Sequence, residues 1–431
     1  MFWPLKRFFK YFLFCFSGVV FLTAGLGTYL IWFQPAFYFP MPTGQYAIGI
    51  KTYHWIDAGR KEILHDDPAH SNRELMVNIW YPAQGALAEK PTTHYAPYAI
   101  DYLKKNKKML GILGLSCPIY SYAHPEALLA QDVLRYPVII FSHGLGTNRD
   151  RNTAHCEELA SYGYVVVGIS HTYDSDVVQF PDGRIADKAQ RKKNKSSLEK
   201  RKQLDQIDQD IEVWISDVRF VLDQLEQLDV DKASLFYQRI DKEHIGMFGH
   251  SFGGATAVQI CRRDQRVKAG VNLDGGLIGP DLTKKFGKPF MFMLSEDNVK
   301  TDERPWTRDD WKRFGINSLN EEKMMKSRSF VAVKQLAKSL GHDVYMFMLK
   351  DARHMAFCDN VLLKHASFFT RFLGAAQDFG SGEIDGFRAT EIVNAYLVNF
   401  FNKYLKGQPS ELLDGSEKNY PEVETKQWVK K

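Results

Sequence analysis

The stretch HIGMFGHSFGGATAVQICRR, residues 244–263, decides the architecture of this chain. His244, Ile245, Gly246, Met247 and Phe248 have the length and composition of a buried strand. Gly249, His250, Ser251, Phe252 and Gly253 follow, backed by Gly254, Ala255 and Thr256. Residues 252–262 then carry an apolar helical pattern. A G-x-S-x-G pentapeptide alone recurs by chance, but between a strand and a helix it gains a mechanism. A serine projected from so tight a turn strains the backbone and leaves no room for side chains beside it. The amides that open the following helix face any negative charge that develops there. Ser251 reads as a nucleophile.

Working outward, further apolar runs occur at 75–81 (LMVNIWY, closed by Pro82), 137–142 (PVIIFS), 164–169 (YVVVGI), 267–273 (VKAGVNL), 290–294 (FMFML) and 344–349 (VYMFML). Continuous apolar strands belong to a sheet covered on both faces. Helical patterns separate them. The clearest places Leu204, Ile207, Ile211, Ile215, Val218, Val221, Leu222, Leu225 and Leu228 at steps of three and four. Others lie near 152–161, 331–340 and 392–404. The expected fold is α/β: an α/β-hydrolase fold with a mostly parallel central sheet and helices on both faces. Functional groups should gather at the carboxyl ends of the strands.

The strand PVIIF runs into Ser142, His143, Gly144, Leu145 and Gly146, a loop placed to approach a substrate closely. With a nucleophile at Ser251, the expected oxyanion donors are the backbone N–H groups of Leu145 and Phe252. His143 reads as a residue that stabilises this loop. In this fold the order along the chain is serine, acid, histidine. Downstream of Ser251 stand His342, His354 and His365. His342 precedes the strand 344–349 and so sits at its wrong end, and His365 lies within a helical run. His354 follows that strand and is the candidate general base. Asp274 and Asp297 each end a strand at the catalytic edge, and the residues alone leave the choice of acid open.

The segments FSHGLG (141–146), LASYGYVVVGISH (159–171), GHSFGGAT (249–256), VNLDGG (271–276) and the His354 loop resemble the plasma-type and type II platelet-activating-factor acetylhydrolase family, over roughly residues 75–370. The resemblance implies Asp274 as the acid, with Asp297 the alternative. It also implies a phospholipid substrate with a short or oxidised sn-2 acyl chain. No metal or organic cofactor is expected. The stretches 184–202 and 296–326 look individual, and are expected to be insertions that leave the substrate open. The alternatives are a general carboxylesterase or polyester-degrading hydrolase, and a binding protein without catalysis.

Bulk composition agrees with one large domain: 431 residues, 45% hydrophobic, suffice for a single core. The net charge of +5 is concentrated, since residues 184–202 hold nine Lys or Arg and two acids, leaving −2 for the rest. That stretch reads as a solvated face, and nucleic acid is not an expected partner. Five cysteines show no metal spacing and read as buried thiols.

Residues 11–33 carry no charge, and Lys6, Arg7 and Lys10 precede them. They are expected to form a transmembrane anchor with residues 1–10 cytoplasmic and the domain outside, or else a cleaved signal peptide. The remaining organisation is expected to be a linker at 34–43, the hydrolase domain at 44–410 and a polar tail at 411–431. Oligomeric state is not readable from the residues.

Overall fold

The computed structural model of the chain describes residues 3–32, 36–87, 90–91, 93–94, 119–191, 200–280, 284–340, 343–363, 380–415 and 419–429. In chain order its main elements are α1 (Trp3–Trp32), β1 (Ala47–Lys61), β2 (Asn72–Ala83), β3 (His124–Pro125), β4 (Tyr136–Ser142), α2 (Thr153–Ser161), β5 (Val165–Ser170), α3 (Lys200–Val230), β6 (Ile240–His250), α4 (Phe252–Arg263), β7 (Val267–Leu273) and β8 (Phe290–Ser295). The short helices α5 (Glu296–Glu303), α6 (Arg308–Phe314), α7 (Leu319–Lys326) and α8 (Phe330–Ser339) follow, then β9 (Val344–Leu349), α9 (Gly386–Leu405) and β10 (Val423–Val429).

Ten strands form one sheet in the order β10-β9-β8-β7-β6-β4-β5-β2-β1-β3. The run from β9 to β5 is parallel throughout. The flanks are not: β10 joins β9, β2 joins β5 and β1 joins β2 in antiparallel pairs. The sheet is therefore mixed, with a parallel centre. Within the stretch 411–431, Val423–Val429 form an edge strand of this sheet. Of the three strands that apolar patterning passes over, β3 is only two residues long, and exposure explains the other two. Along β1 only Ala47, Ile48, Gly49 and Trp55 are buried, and β10 pairs on one side only.

Alternation along the central strands feeds two cores. On one face Val138, Ile140, Val167 and Met247 meet Ile211, Trp214 and Val218 of α3 and Ala255 and Val258 of α4. On the other, Ile139, Phe141, Val166 and Phe248 meet Leu159 of α2 and Leu397, Phe400 and Phe401 of α9. Each such side chain, fully buried, contributes about 1.5–3 kcal/mol, which outweighs weak helix propensity in α2 and fixes these helices to the sheet. Cys156, Cys261 and Cys358 are buried free thiols within this packing.

The expectation of a transmembrane anchor is corrected here. Residues 11–32 do lie in a helix, α1, but among the described residues no helix is long and apolar enough to cross a membrane. The run is interrupted by Ser17, Gly18, Thr23, Gly25, Gly27 and Thr28, and Lys6, Arg7 and Lys10 belong to the same helix. The single-pass topology, the membrane as a partner and the placement of the domain outside a membrane fall with the anchor.

Candidate active site

Ser251 stands between β6 and α4 with φ 55° and ψ −115°, a conformation that costs a residue with a side chain. Its own N–H is tied to the carbonyl of Leu273 at 2.9 Å, so the turn is held by the neighbouring strand. Gly253 is required by contact: a Cβ there would lie 1.9 Å from the carbonyl oxygen of Ser142. The two loops at this edge are that close, which brings 142–146 against the serine.

The loop after β4 is aimed by its hydrogen bonds. The carbonyl of Gly144 accepts from His143 Nδ1 at 2.7 Å, from the Thr147 N–H at 3.0 Å and from Thr147 Oγ1 at 2.8 Å. Because the peptide is planar and trans, pinning this carbonyl turns the Leu145 N–H in the opposite direction. A Cβ on Gly144 would sit 3.4 Å from Ser251 Cβ, so that peptide borders the serine. Phe252 opens α4, and its N–H has no partner within the helix. His143 itself is buried, and burial, reinforced by His171, holds its pKa well below the usual imidazole value. As a neutral ring it donates from Nδ1 and accepts at Nε2 from the His171 N–H at 3.1 Å.

His354 follows β9 and reaches back. Its Nε2 lies 2.9 Å from Ser251 Oγ and its Nδ1 lies 2.8 Å from Asp274 Oδ2. Asp274, at the end of β7, is fully enclosed at its side chain, whereas the His354 side chain is 35% exposed. The carboxylate is held on both oxygens. Oδ1 accepts the Ser295 N–H at 2.7 Å, and Oδ2 accepts Ser295 Oγ at 3.0 Å and Asn298 Nδ2 at 2.7 Å. Ser295 also caps α5 through Asn298, so the start of that helix is built around the carboxylate. Asp297 lies elsewhere: its carboxylate approaches Arg353 Nε at 4.0 Å. His342 and His365 lie outside the described residues.

Three positioning residues were not foreseen: Ser295, Asn298 and His250. Burial, with the neighbouring His354 ring, keeps His250 well below its ordinary pKa, so its Nε2–H donates to the carbonyl of His354 at 2.9 Å. Its ring packs 4.7 Å from that of His354. The only signal in the sequence was its place between Gly249 and Ser251.

A second Ser–His–Asp chain lies behind the first. Ser142 Oγ meets His171 Nε2 at 2.9 Å, and His171 Nδ1 meets Asp217 Oδ2 at 2.9 Å. All three side chains are sealed from solvent. Burial pushes the Asp217 carboxyl up, but Arg73 and His171 together hold it far below its usual range. Arg73 also reaches Glu62 at 2.7 Å and the carbonyl of Thr172 at 2.9 Å. This array joins β2, β5 and α3 beneath the active-site loop and is closed to any substrate. Breaking one partner of a buried ion pair costs about 3–5 kcal/mol, because the other charge stays behind. Arg73→Met should therefore lower unfolding free energy by about 3 kcal/mol or more in urea titration. A loss below about 1 kcal/mol would show that Arg60, 2.9 Å from Asp217, compensates.

A cavity of about 350 Å³ opens at Ser251 and His354. Its walls come from the start of α3, the loop after β7 and the segment 298–330, so part of the stretch expected as an insertion shapes it.

This fold, with a serine on a strained strand-to-helix turn, defines a member of the α/β-hydrolase superfamily. Residues 32–419 match the family described as "Platelet-activating factor acetylhydrolase, isoform II", and the chain belongs to that family. It is 26% identical over 295 residues to a "Probable 1-alkyl-2-acetylglycerophosphocholine esterase" of Arthroderma benhamiae, covering 67% of this chain and 65% of that protein. A "Platelet-activating factor acetylhydrolase" of Cavia porcellus is 28% identical over 310 residues, covering 66% of this chain and 62% of the relative. The match thus spans less than two thirds of these relatives' own length. Among solved structures, a ferulic acid esterase from Streptomyces cinnamoneus superposes with a TM-score of 0.67 at 28% identity, covering 91% of this chain and all of its own.

Proposed function

We propose that the protein is a serine esterase that cleaves carboxylic esters through an acyl-enzyme, with Ser251 as nucleophile, His354 as general base and acid, and Asp274 as the acid that orients it. The observation that supports this most is the unbroken chain from Asp274 Oδ2 through His354, at 2.8 Å, to Ser251 Oγ, at 2.9 Å. His354 Nε2 takes the hydroxyl proton as Ser251 Oγ bonds to the ester carbonyl carbon. The carbonyl oxygen gains the negative charge and is held by the N–H groups of Leu145 and Phe252. The imidazolium, stabilised by Asp274, passes its proton to the departing alcohol oxygen as the C–O bond breaks. Water then attacks the acyl-serine with His354 again as base, and the free acid leaves.

For the substrate, family membership favours phospholipid esters with a short or oxidised sn-2 acyl chain. The match to a ferulic acid esterase favours a second reading, a general carboxylesterase acting on esters of aromatic acids. A fluorophosphonate probe should label the protein once, on the peptide that carries Ser251. Labelling of another residue, or none, sinks the mechanism. Release of acid from a phosphatidylcholine with a short sn-2 acyl chain and from methyl ferulate, measured side by side, separates the two substrate readings.

A further inference from the structure

Which side of the ester does the cavity at Ser251 hold, and how large a group fits? The following rests on the serine-esterase reading. The cavity, about 350 Å³, is roughly twice the ~150 Å³ apolar cavity that takes up a benzene ring. An acetyl group would leave most of it empty. Its apolar wall includes Leu204, Ile207, Ile278, Trp306, Phe314 and Phe330.

Three of the polar groups that border it are already engaged with the wall itself. Arg328 is paired with Asp208 at 2.7 Å, and Asn298 holds Asp274. Asp302 accepts the Phe330 N–H at 2.8 Å and the indole N–H of Trp306 at 3.3 Å. The aromatic surface best suited to a quaternary ammonium is also taken. Trp306 stacks on Phe314 at 4.7 Å, and the Lys326 ammonium sits 5.2 Å from the Trp306 ring centre. A cationic head group would find the Trp306 ring already covered by Phe314 and Lys326, whereas an uncharged apolar chain finds carbon surface on Leu204, Ile207, Ile278 and Phe330. The acyl group is also the part that stays bonded to Ser251 after the alcohol has left. A sheltered compartment suits the part that stays, and the exposed flank of His354 suits the alcohol that leaves and the water that enters.

We propose that this cavity is the acyl-binding compartment, that it selects uncharged acyl groups of about six to ten carbons over acetyl, and that Ile207 and Trp306 set its size. With p-nitrophenol as the constant leaving group, kcat/KM should rise at least about tenfold from acetate to octanoate, since each buried methylene adds up to about fourfold. p-Nitrophenyl cinnamate tests whether a flat aryl chain is accepted equally. Ile207→Trp should lower the octanoate-to-acetate ratio at least about tenfold, and Trp306→Ala should move the same ratio through loss of wall contacts. Far-UV circular dichroism and probe labelling of each variant verify that fold and serine are intact.

Highest kcat/KM for acetate, with a steady fall along the series, overturns the inference. So does a flat acyl series with rates that rise along alkyl acetates of growing alcohol, because the cavity then holds the alcohol. Unaltered ratios in both labelled variants overturn the assignment of Ile207 and Trp306. Absence of probe labelling in the wild-type protein overturns the esterase reading beneath it, and this inference with it.

Discussion

Ser251→Ala is expected to reduce hydrolysis of p-nitrophenyl butyrate by about 10⁴- to 10⁶-fold and to abolish fluorophosphonate labelling. The size of the loss follows from what the serine does in the proposed mechanism. Without Oγ no acyl-enzyme forms, and only the oxyanion donors and binding remain. The fold should survive, because the Ser251 side chain bonds His354 while the turn is held through the backbone N–H of Ser251 to Leu273. Alanine occupies the same φ of 55° at similar cost. Urea midpoints of the two proteins should therefore agree closely. Ser142→Ala is the informative companion, since Ser142 has a histidine and an aspartate of its own. Being sealed from solvent, it should not react with the probe, and the variant should label as the wild type does. Turnover by Ser251→Ala within tenfold of wild type would remove the serine from the mechanism.

How much of this was readable beforehand depends on how local the signal is. The central strands declare themselves because burial on both faces makes them uniformly apolar, as in Val344–Leu349 and Val165–Ser170. Edge strands carry no such signature. Val423–Val429 contains Glu424, Lys426 and Gln427, and nothing in its composition demands a sheet. The turn at Ser251 is equally local, since strand, glycines and helix lie within twenty residues. The buried pair of Arg73 and Asp217 is the opposite case: 144 positions separate residues that share two hydrogen bonds. A buried arginine looks like any surface arginine until the chain folds. The long uncharged run near the N-terminus misled for a related reason, because lack of charge does not by itself specify a membrane span. Asp274 and Asp297 show the limit most sharply. Both follow adjacent parallel strands, and only three-dimensional placement sends one toward His354 and the other toward Arg353.

That placement gives the second large expected effect. Asp274→Asn should lower kcat/KM by about 10⁴-fold, whereas Asp297→Asn should stay within about threefold of wild type. The argument turns on which way the new amide faces. Oδ1 of Asp274 accepts the Ser295 backbone N–H, a donor that cannot rotate away. An asparagine must keep its carbonyl oxygen there, so its NH₂ group takes the place of Oδ2. That group then faces His354 Nδ1 and Asn298 Nδ2, both donors in the native arrangement. To avoid the clash the imidazole must carry its proton on Nε2 and present a lone pair at Nδ1. The nitrogen that should take the proton of Ser251 is then already protonated. Asp297→Asn changes nothing at His354, because that carboxylate lies against Arg353. Steady-state kinetics on the two variants decide the matter, with urea midpoints to verify folding. A large loss in Asp297→Asn beside an active Asp274→Asn would reverse the assignment of the acid and leave the bond between His354 and Asp274 as a structural one.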